Sequence, residues 1–197
     1  MIFRIFLFGI SMLFFLSLEA EEKPYFSINF NNDFRAWKGR PGERGGNARS
    51  VIIKQGGWKK SPALLWEYEI GEQYKSCFYS CLVPNRVIPR KPTRMSVRIC
   101  GDRSGTNLGV RLRDATGRIW QQHLTVIDFE GWKIIEIDIK PAGYAWGGKV
   151  RPDKGFTYPI RLHELMLEHK PDVKKGRSKG KIILDEFHFY ERQLEEF

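Results

Sequence analysis

The chain has 197 residues, of which 42% are hydrophobic and 14% aromatic, and its formal net charge is +10. This length fits one domain better than two, and the apolar content excludes an intrinsically disordered chain. The positive charge concerns binding partners rather than the fold, and it favours anionic ones.

The first element in chain order is a hydrophobic segment at the N-terminus. Arg4 precedes an apolar run from Ile5 to Leu18, and Ala20 offers a small residue for cleavage. The run is shorter than the roughly 20 residues of a transmembrane helix, and the pattern is typical of a secretory signal peptide. We predict a signal peptide at residues 1–20, a single domain at residues 21–197 and a secreted, periplasmic or extracellular protein. The alternative is an uncleaved anchor.

A secreted protein is expected to have no nucleic-acid partner and, after cleavage, no membrane insertion. The basic charge then points to a polysaccharide, in particular an acidic one, or to an anionic cell surface. Nothing in the sequence indicates an oligomeric state.

The rest of the chain consists of short apolar-polar alternations separated by Gly, Pro, Asn and Asp, without an apolar stripe at helical spacing. About ten short antiparallel strands at this spacing predict an all-β fold, a two-sheet jelly-roll β-sandwich. Two basic, glycine-rich segments, Lys38–Asn47 and Lys170–Lys181, are predicted to be surface loops. The predicted strands are Tyr25–Phe30, Arg49–Lys54, Leu64–Ile70, Cys77–Val83, Arg94–Cys100, Leu108–Asp114, Arg118–Val126, Trp132–Ile139, Ile160–Glu168 and Lys181–Tyr190.

Alternation along the strands divides their residues between the core and the outer face. In the last strand it places Asp185 on the apolar side with Phe187 and Phe189, where an unpaired carboxylate costs several kcal/mol. Asp185 therefore needs hydrogen-bond donors or a metal ion. The other residues assigned to the core in this way are Met95, Val97, Ile99, Val110, Leu112, Ile135, Ile137, Ile139 and Ile183.

Three cysteines, Cys77, Cys81 and Cys100, allow one disulfide in an oxidising compartment. Cys77 and Cys81 fall on one predicted strand, roughly 13 Å apart, which is beyond bridging distance. A disulfide would therefore include Cys100, and three free thiols are the alternative.

Four segments carry a resemblance to a known family: GDRSGTNLGVRLRDATGRIW (101–120), IDFEGWKIIEIDI (127–139), YPIRLHELML (158–167) and GKIILDEFHFY (180–190). Their order and spacing resemble the galactose-binding-like β-sandwich, the fold of many carbohydrate-binding modules appended to secreted glycoside hydrolases. The N-terminal INFNNDFRAW (28–37) is similar to the opening strand of that family. The resemblance implies a jelly-roll sandwich that binds a polysaccharide without catalysis.

The resemblance also implies one structural calcium ion, held by an acid near the first strand and by the aspartate of the last strand. The matching positions are Asn31 and Asp185, and Asn31 stands where the family has a glutamate. This change removes a negative charge, although an asparagine carbonyl oxygen can still bind calcium. The alternative for Asp185 is a carboxylate that accepts hydrogen bonds from loop amides.

The candidate ligand-binding residues combine arginines with aromatic rings. Arginine forks match carboxylates and sulfates bidentately, and aromatic rings stack on the apolar face of a pyranose. We expect Arg98, Arg111 and Arg113 on the outer face of adjacent or nearly adjacent strands. Trp120 and Gln122 are expected on the same sheet, and Trp146 in a loop. The alternative is a solvated face on which Glu136 and Asp138 neutralise the arginines. The candidates, in that order, are Arg98, Arg111, Arg113, Trp120, Gln122 and Trp146.

No catalytic residue is assigned, because the histidines lack metal-ligand spacing and the chain has no Gly-x-Ser-x-Gly turn. One enzyme alternative is a jelly-roll polysaccharide lyase, in which Gln122 and His123 would act beside Arg111 and Arg113. A second alternative is a basic protein that binds an anionic cell surface through its charged loops, without sugar specificity.

Overall fold

The computed structural model describes residues 22–31, 37–40, 47–69, 78–141, 144–149, 155–168 and 179–191. The predicted signal peptide at residues 1–20 lies outside these ranges, as do residues 41–46 and 170–178 of the two predicted basic loops. Within the described ranges, no helix has the length and hydrophobicity that crossing a membrane requires.

Two antiparallel sheets account for the described strands. The strands are β1 (Phe26–Ile28), β2 (Lys38–Arg40), β3 (Asn47–Ile53), β4 (Ala63–Glu69), β5 (Phe78–Ile88), β6 (Arg94–Asp102), β7 (Asn107–Arg113), β8 (Ile119–Val126), β9 (Glu130–Asp138), β10 (Tyr144–Trp146), β11 (Ile160–Glu168) and β12 (Lys179–Tyr190). Sheet 1 has the order β3-β4-β12-β6-β9, and β1 also pairs with β12. Sheet 2 has the order β10-β8-β7-β11-β5-β2. The predicted all-β, two-sheet sandwich is confirmed.

The core lies between the two sheets. Ile99 of sheet 1 and Leu112 of sheet 2 are fully buried and belong to one apolar cluster, together with Trp66. The alternation predicted nearly all of its members from β6, β7 and β9 correctly, because each of these strands has one apolar side. Ile137 is half-buried against the same cluster.

Two strands were predicted to be loops. β2 and β10 are three residues long, too short for alternation to reveal them, and each pairs at the edge of sheet 2. β5 also runs further than predicted, to Ile88. Because the described part of β2 pairs with residues 80–82 of β5, the part of β5 from residue 83 onwards lies at the sheet edge, where Pro84 is tolerated.

A β-bulge in β12 corrects the predicted faces of this strand. Leu184 points into the core, and the pairing with β6 then shifts between Asp185 and Phe187, with Glu186 as the extra residue at φ +43°. Phe187 again points into the core. Ile183 and Asp185 therefore lie on the outer side, and the prediction that they share a side with Phe187 was wrong.

Cys100 is a free thiol, which agrees with the alternative of free thiols and not with a disulfide that includes Cys100. Cys77 and the side chain of Cys81 lie outside the described residues.

Candidate functional site

The three candidate arginines divide between the two sheets. Arg98 belongs to β6 in sheet 1, whereas Arg111 and Arg113 belong to β7 in sheet 2. The prediction that they share neighbouring strands was wrong, because the turn between β6 and β7 crosses from one sheet to the other. The outer faces of the two sheets are therefore separate surfaces.

Trp120 and Gln122 lie on the inner side of sheet 2, contrary to the prediction. Trp120 pairs with Leu112, is only 2% exposed, and donates from Nε1 to Asp114 Oδ2 at 3.1 Å. Gln122 is also buried and donates to the backbone oxygen of Asp138 at 3.2 Å. The outward residue between them is Gln121. The sequence did carry a signal for this phase, because the apolar residues Trp120 and Leu124 are separated by an even number of positions, and both are buried.

The outer side of sheet 2 brings two rows of cross-strand neighbours together. We call this surface the sheet-2 face. Sequence reasoning missed the residues from β11, because the pairing of β7 with β11 joins segments that are far apart in the chain. The first row consists of Trp146, Ile119, Arg113 and Arg161, and the second of Tyr144, Gln121, Arg111 and Glu164.

An aromatic pair occupies one end of the sheet-2 face. The ring centroids of Tyr144 and Trp146 are 5.2 Å apart, and Tyr144 is 70% exposed. β10 presents these rings through its pairing with β8, and the chain then turns at Gly147 and Gly148, both with positive φ. A Cβ on Gly148 would lie 2.7 Å from Cβ of Arg118, so this turn requires glycine. Trp146 is thus held on a strand and not in the predicted loop.

Arg111 has a structural partner. Its Nη1 donates to Glu164 Oε2 at 2.6 Å and its Nε to Gln121 Oε1 at 3.1 Å, while its guanidinium lies 5.0 Å from the Trp146 ring centroid. The side chains of Arg111 and Glu164 are only 17% and 2% exposed. The carboxylate that neutralises Arg111 is therefore Glu164, not one of the two carboxylates expected from β9.

Arg113 and Arg161 face each other directly across β7 and β11. They line a cleft of about 460 Å³, together with Asp114, Gly117 and Pro159. Within the described part of the chain, Arg113 makes no ion pair. Like charges directly opposite each other in a sheet are unfavourable. An anion between them would remove this repulsion.

The carboxylate in this cleft, Asp114, is committed to its own turn. Its Oδ1 accepts hydrogen bonds from Thr116 and from the backbone N–H of Arg118, and its Oδ2 accepts one from Trp120. Burial alone would raise the pKa of Asp114, but these hydrogen bonds outweigh it and hold the pKa below its usual value. Asp114 is therefore an ionised carboxylate that fixes the loop and offsets part of the positive charge of the two arginines.

Asp185 is a buried carboxylate that holds a turn over the outer side of sheet 1. Its Oδ2 accepts the backbone N–H of Trp58 at 2.8 Å, and the Ser61 hydroxyl lies 2.5 Å away. This is the arrangement given above as the alternative to calcium. Asp185 Oδ1 is buried and has no hydrogen-bond partner among the described residues, and Asn31 is exposed.

Calcium takes six to eight oxygen ligands. The described residues contain no cluster of three or more metal-binding side chains, and near Asp185 they offer one uncommitted carboxylate oxygen. This donor set does not by itself fit a calcium ion. Calcium binding by Asp185 and Asn31 stays a prediction.

The burial of Asp185 predicts a pH dependence of stability. Burial is the main cause that raises the pKa of Asp185 in the folded protein. The folded state therefore holds this proton more tightly than the unfolded chain does, where the pKa is about 3.9. The stability that the protonated group contributes is present below that pH and is lost as the pH rises through the folded-state pKa.

We expect wild type to gain stability relative to Asp185→Asn as the pH falls from 7 towards 4. Urea unfolding of both proteins at several pH values measures the difference. Asp138→Asn is the matched control, because Asp138 is exposed. A difference between wild type and Asp185→Asn that does not change with pH would contradict the assignment.

Comparison with known proteins shows the fold. No protein-family model and no curated protein matches the sequence. A family 11 carbohydrate-binding module of the cellulase Lic26A-Cel5E of Clostridium thermocellum is similar with a TM-score of 0.51 at 14% identity, over 87% of this chain and 97% of the module. A family 11 module from C. thermocellum in complex with a β-1,3-1,4-mixed-linked tetrasaccharide has a TM-score of 0.50 at 14% identity, over 83% of this chain and 93% of that one.

A further similar structure comes from work on promiscuous specificity in carbohydrate-binding modules of the β-sandwich superfamily. Its TM-score is 0.53 at 13% identity, over 87% of this chain and 64% of that one. The chain therefore has the β-sandwich fold of carbohydrate-binding modules, as the sequence resemblance predicted.

Proposed function

We propose that this protein is a secreted, non-catalytic carbohydrate-binding domain whose sheet-2 face binds an acidic polysaccharide. One observation carries the proposal: the Tyr144–Trp146 pair and the Arg113–Arg161 cleft lie on the same face of one sheet. The fold supports a carbohydrate partner, because similar structures are carbohydrate-binding modules. Secretion rests on the hydrophobic segment at residues 1–20.

The spacing of the two features fits one extended ligand. Trp146 and Arg113 lie two strands apart in one row, which corresponds to roughly 10 Å at the usual distance between strands. A sugar ring that stacks on Trp146 or Tyr144 would extend along the row towards Arg113 and Arg161. A carboxylate or sulfate on a following sugar would then enter the cleft.

The charges on the face favour an acidic polymer over a neutral one. Glu164 compensates Arg111, and among the described residues that line the cleft of Arg113 and Arg161 the one acidic side chain is Asp114, whose oxygens accept hydrogen bonds from Thr116 and Trp120. A planar carboxylate can bind a guanidinium fork bidentately, and a hydrogen bond to a charged group is stronger than a neutral one. Binding of a uronate or sulfate would relieve the repulsion between the two arginines.

A polysaccharide panel tests the proposal. Binding of the secreted protein to alginate, pectate, a sulfated glycan and neutral xylan is measured by calorimetry at low and moderate ionic strength. The proposal requires binding to one acidic polymer that persists at moderate salt. Equal binding to every polyanion that disappears with salt would favour a basic surface without sugar specificity.

The same samples test the lyase alternative through the ultraviolet absorbance of unsaturated uronates. His123 lies opposite Gly109, on the same side of sheet 2 as Arg111, but Gln122 lies on the inner side. The lyase arrangement expected from the sequence is therefore incomplete. A rising absorbance would still contradict non-catalytic binding.

Removal of the Trp146 ring is expected to weaken binding of the acidic polysaccharide about ten-fold, because aromatic anchors contribute much of the energy of a binding site. Trp146→Ala is compared with wild type by calorimetry, and its melting temperature shows whether it folds. Trp58→Ala removes an exposed ring from the other sheet and serves as the control. Equal losses in both variants would place the ligand elsewhere.

A further inference from the structure

The outer side of sheet 1 carries a groove that the proposed function does not use. The groove consists of two cavities of about 240 and 310 Å³, which share Arg98 and Ile134. Trp58 and Trp132 line one end of the groove, and Tyr190 lines the other. Arg98 therefore does belong to a cavity, but to one on the sheet opposite to Arg111 and Arg113.

Two indole rings form the apolar end of this sheet-1 groove. The ring centroids of Trp58 and Trp132 are 6.1 Å apart, and their planes are inclined at 71°. Trp58 is 36% exposed, and Ile134 beside it is 48% exposed. A cluster of exposed apolar side chains on a soluble protein marks a binding surface.

The turn that carries Trp58 is held in place by the buried carboxylate of β12. Asp185 Oδ2 accepts the Trp58 backbone N–H, and the Ser61 hydroxyl lies within 2.6 Å of both this carboxylate oxygen and the Trp58 carbonyl oxygen. On the ring itself, the Arg98 guanidinium lies 5.2 Å from the centroid. A ring that stands on a fixed turn and packs against Arg98 and Trp132 loses little freedom when a ligand stacks on it.

The two arginines of the sheet-1 groove are paired with carboxylates. Arg98 Nε donates to Glu186 Oε2 at 2.9 Å, and Arg94 pairs with Glu136 and Glu22. Because these guanidinium groups already have carboxylate partners, they do not require an anionic ligand, and the exposed apolar side chains suit a ligand that offers both an apolar face and hydroxyl groups. Among the described residues, the other cations that line the groove, both on exposed residues, are Lys23 and Lys133.

The polar groups needed for hydroxyls lie along the same groove. Ser96, Glu136 and His188 line the second cavity, and His188 Nδ1 lies 2.8 Å from the Ser27 hydroxyl. The groove follows β6 from Cys100, opposite Trp132, to Arg94, opposite Tyr190. Six residues of strand correspond to roughly 20 Å, which suits several linked sugars rather than one.

We propose that the sheet-1 groove is a second saccharide site, which binds a neutral oligosaccharide with one sugar stacked on Trp58 or Trp132. This inference goes beyond the proposed function, because it concerns the opposite sheet, different residues and an uncharged ligand. The two sites face away from each other, so one molecule would hold two glycan chains at the same time.

The test uses cellohexaose and xylohexaose as neutral probes and a hexagalacturonate as the acidic one. Calorimetry on the secreted protein is combined with tryptophan fluorescence. We expect one of the neutral probes to bind, and Trp58→Ala to weaken that binding about ten-fold. Ile134→Arg changes an exposed residue at the centre of the groove and is expected to abolish binding without affecting folding. Trp146→Ala is the matched control and is expected to bind the neutral probe normally.

Three results would overturn the inference: no binding of either neutral probe, loss of neutral binding in Trp146→Ala with retention in Trp58→Ala, or a preference of the groove for hexagalacturonate. Binding of acidic polysaccharide by the same variants reports on the sheet-2 face separately. Failure of the second site is therefore distinguishable from failure of the proposed function.

Discussion

Arg113→Ala/Arg161→Ala is expected to bind the acidic polysaccharide about 100-fold more weakly than wild type, because two charge-assisted contacts are lost at once. Both arginines line one cleft and face each other across neighbouring strands, so each reaches the same anionic group. Removing the pair also removes their mutual repulsion.

Calorimetric titration measures the affinity, and thermal unfolding reports whether the variant folds. The matched control is Arg49→Ala/Arg103→Ala, which removes the same charge from two arginines that are 76% and 66% exposed. A general electrostatic attraction predicts equal losses in both double variants. Specific binding in the cleft predicts a loss in the first alone, and this contrast decides between the two explanations.

Arg111→Met is expected to lower the free energy of unfolding by about 3 kcal/mol, because it leaves the buried Glu164 without its guanidinium partner. The substitution of Arg111 leaves the Glu164 carboxylate charged at a site that water does not reach. An exposed carboxylate that loses its ion-pair partner is solvated by water instead, so its loss of stability is smaller.

Urea unfolding of Arg111→Met, Glu164→Leu and the double variant forms a double-mutant cycle. We expect the double variant to regain most of the lost stability, because two apolar side chains can replace a buried ion pair at little cost. Arg94→Met breaks the more exposed pair with Glu136 and should cost less than about 1 kcal/mol. Equal costs for Arg111→Met and Arg94→Met would show that burial of the Arg111–Glu164 pair contributes nothing.

The core was predictable from the sequence because it depends on local alternation. Ile99, Val110 and Ile135 each sit in a strand with one apolar side, and the structure buries all three. The candidate site was predictable only in part. Arg111, Arg113 and Trp146 do share a face, but Arg161 and Glu164 join them through pairing between segments that are distant in the chain. No local pattern encodes that pairing.

Arg98 and Trp120 show two further reasons for error. Whether β6 and β7 lie in one sheet depends on the path of the turn between them, and a turn composition does not indicate whether the chain crosses the sandwich. In β8, both phases of the alternation contain polar residues. The prediction placed Trp120 on the outer side of β8. The apolar residues Leu124 and Val126, at the same phase of the sequence alternation, favoured the inner side for Trp120.

The bulge at Glu186 allows β12 to bury two pairs of residues that are out of phase in the sequence. Before Glu186, Ile182 and Leu184 fill the core, and after it Phe187 and Phe189 do so, because the extra residue reverses the alternation. Deletion of this single residue would give a regular alternation in which both phenylalanines still point into the core, whereas deletion of His188 would turn Phe189 towards the outer side. Related chains should therefore tolerate loss of the bulge residue better than loss of a residue between two core positions of β12.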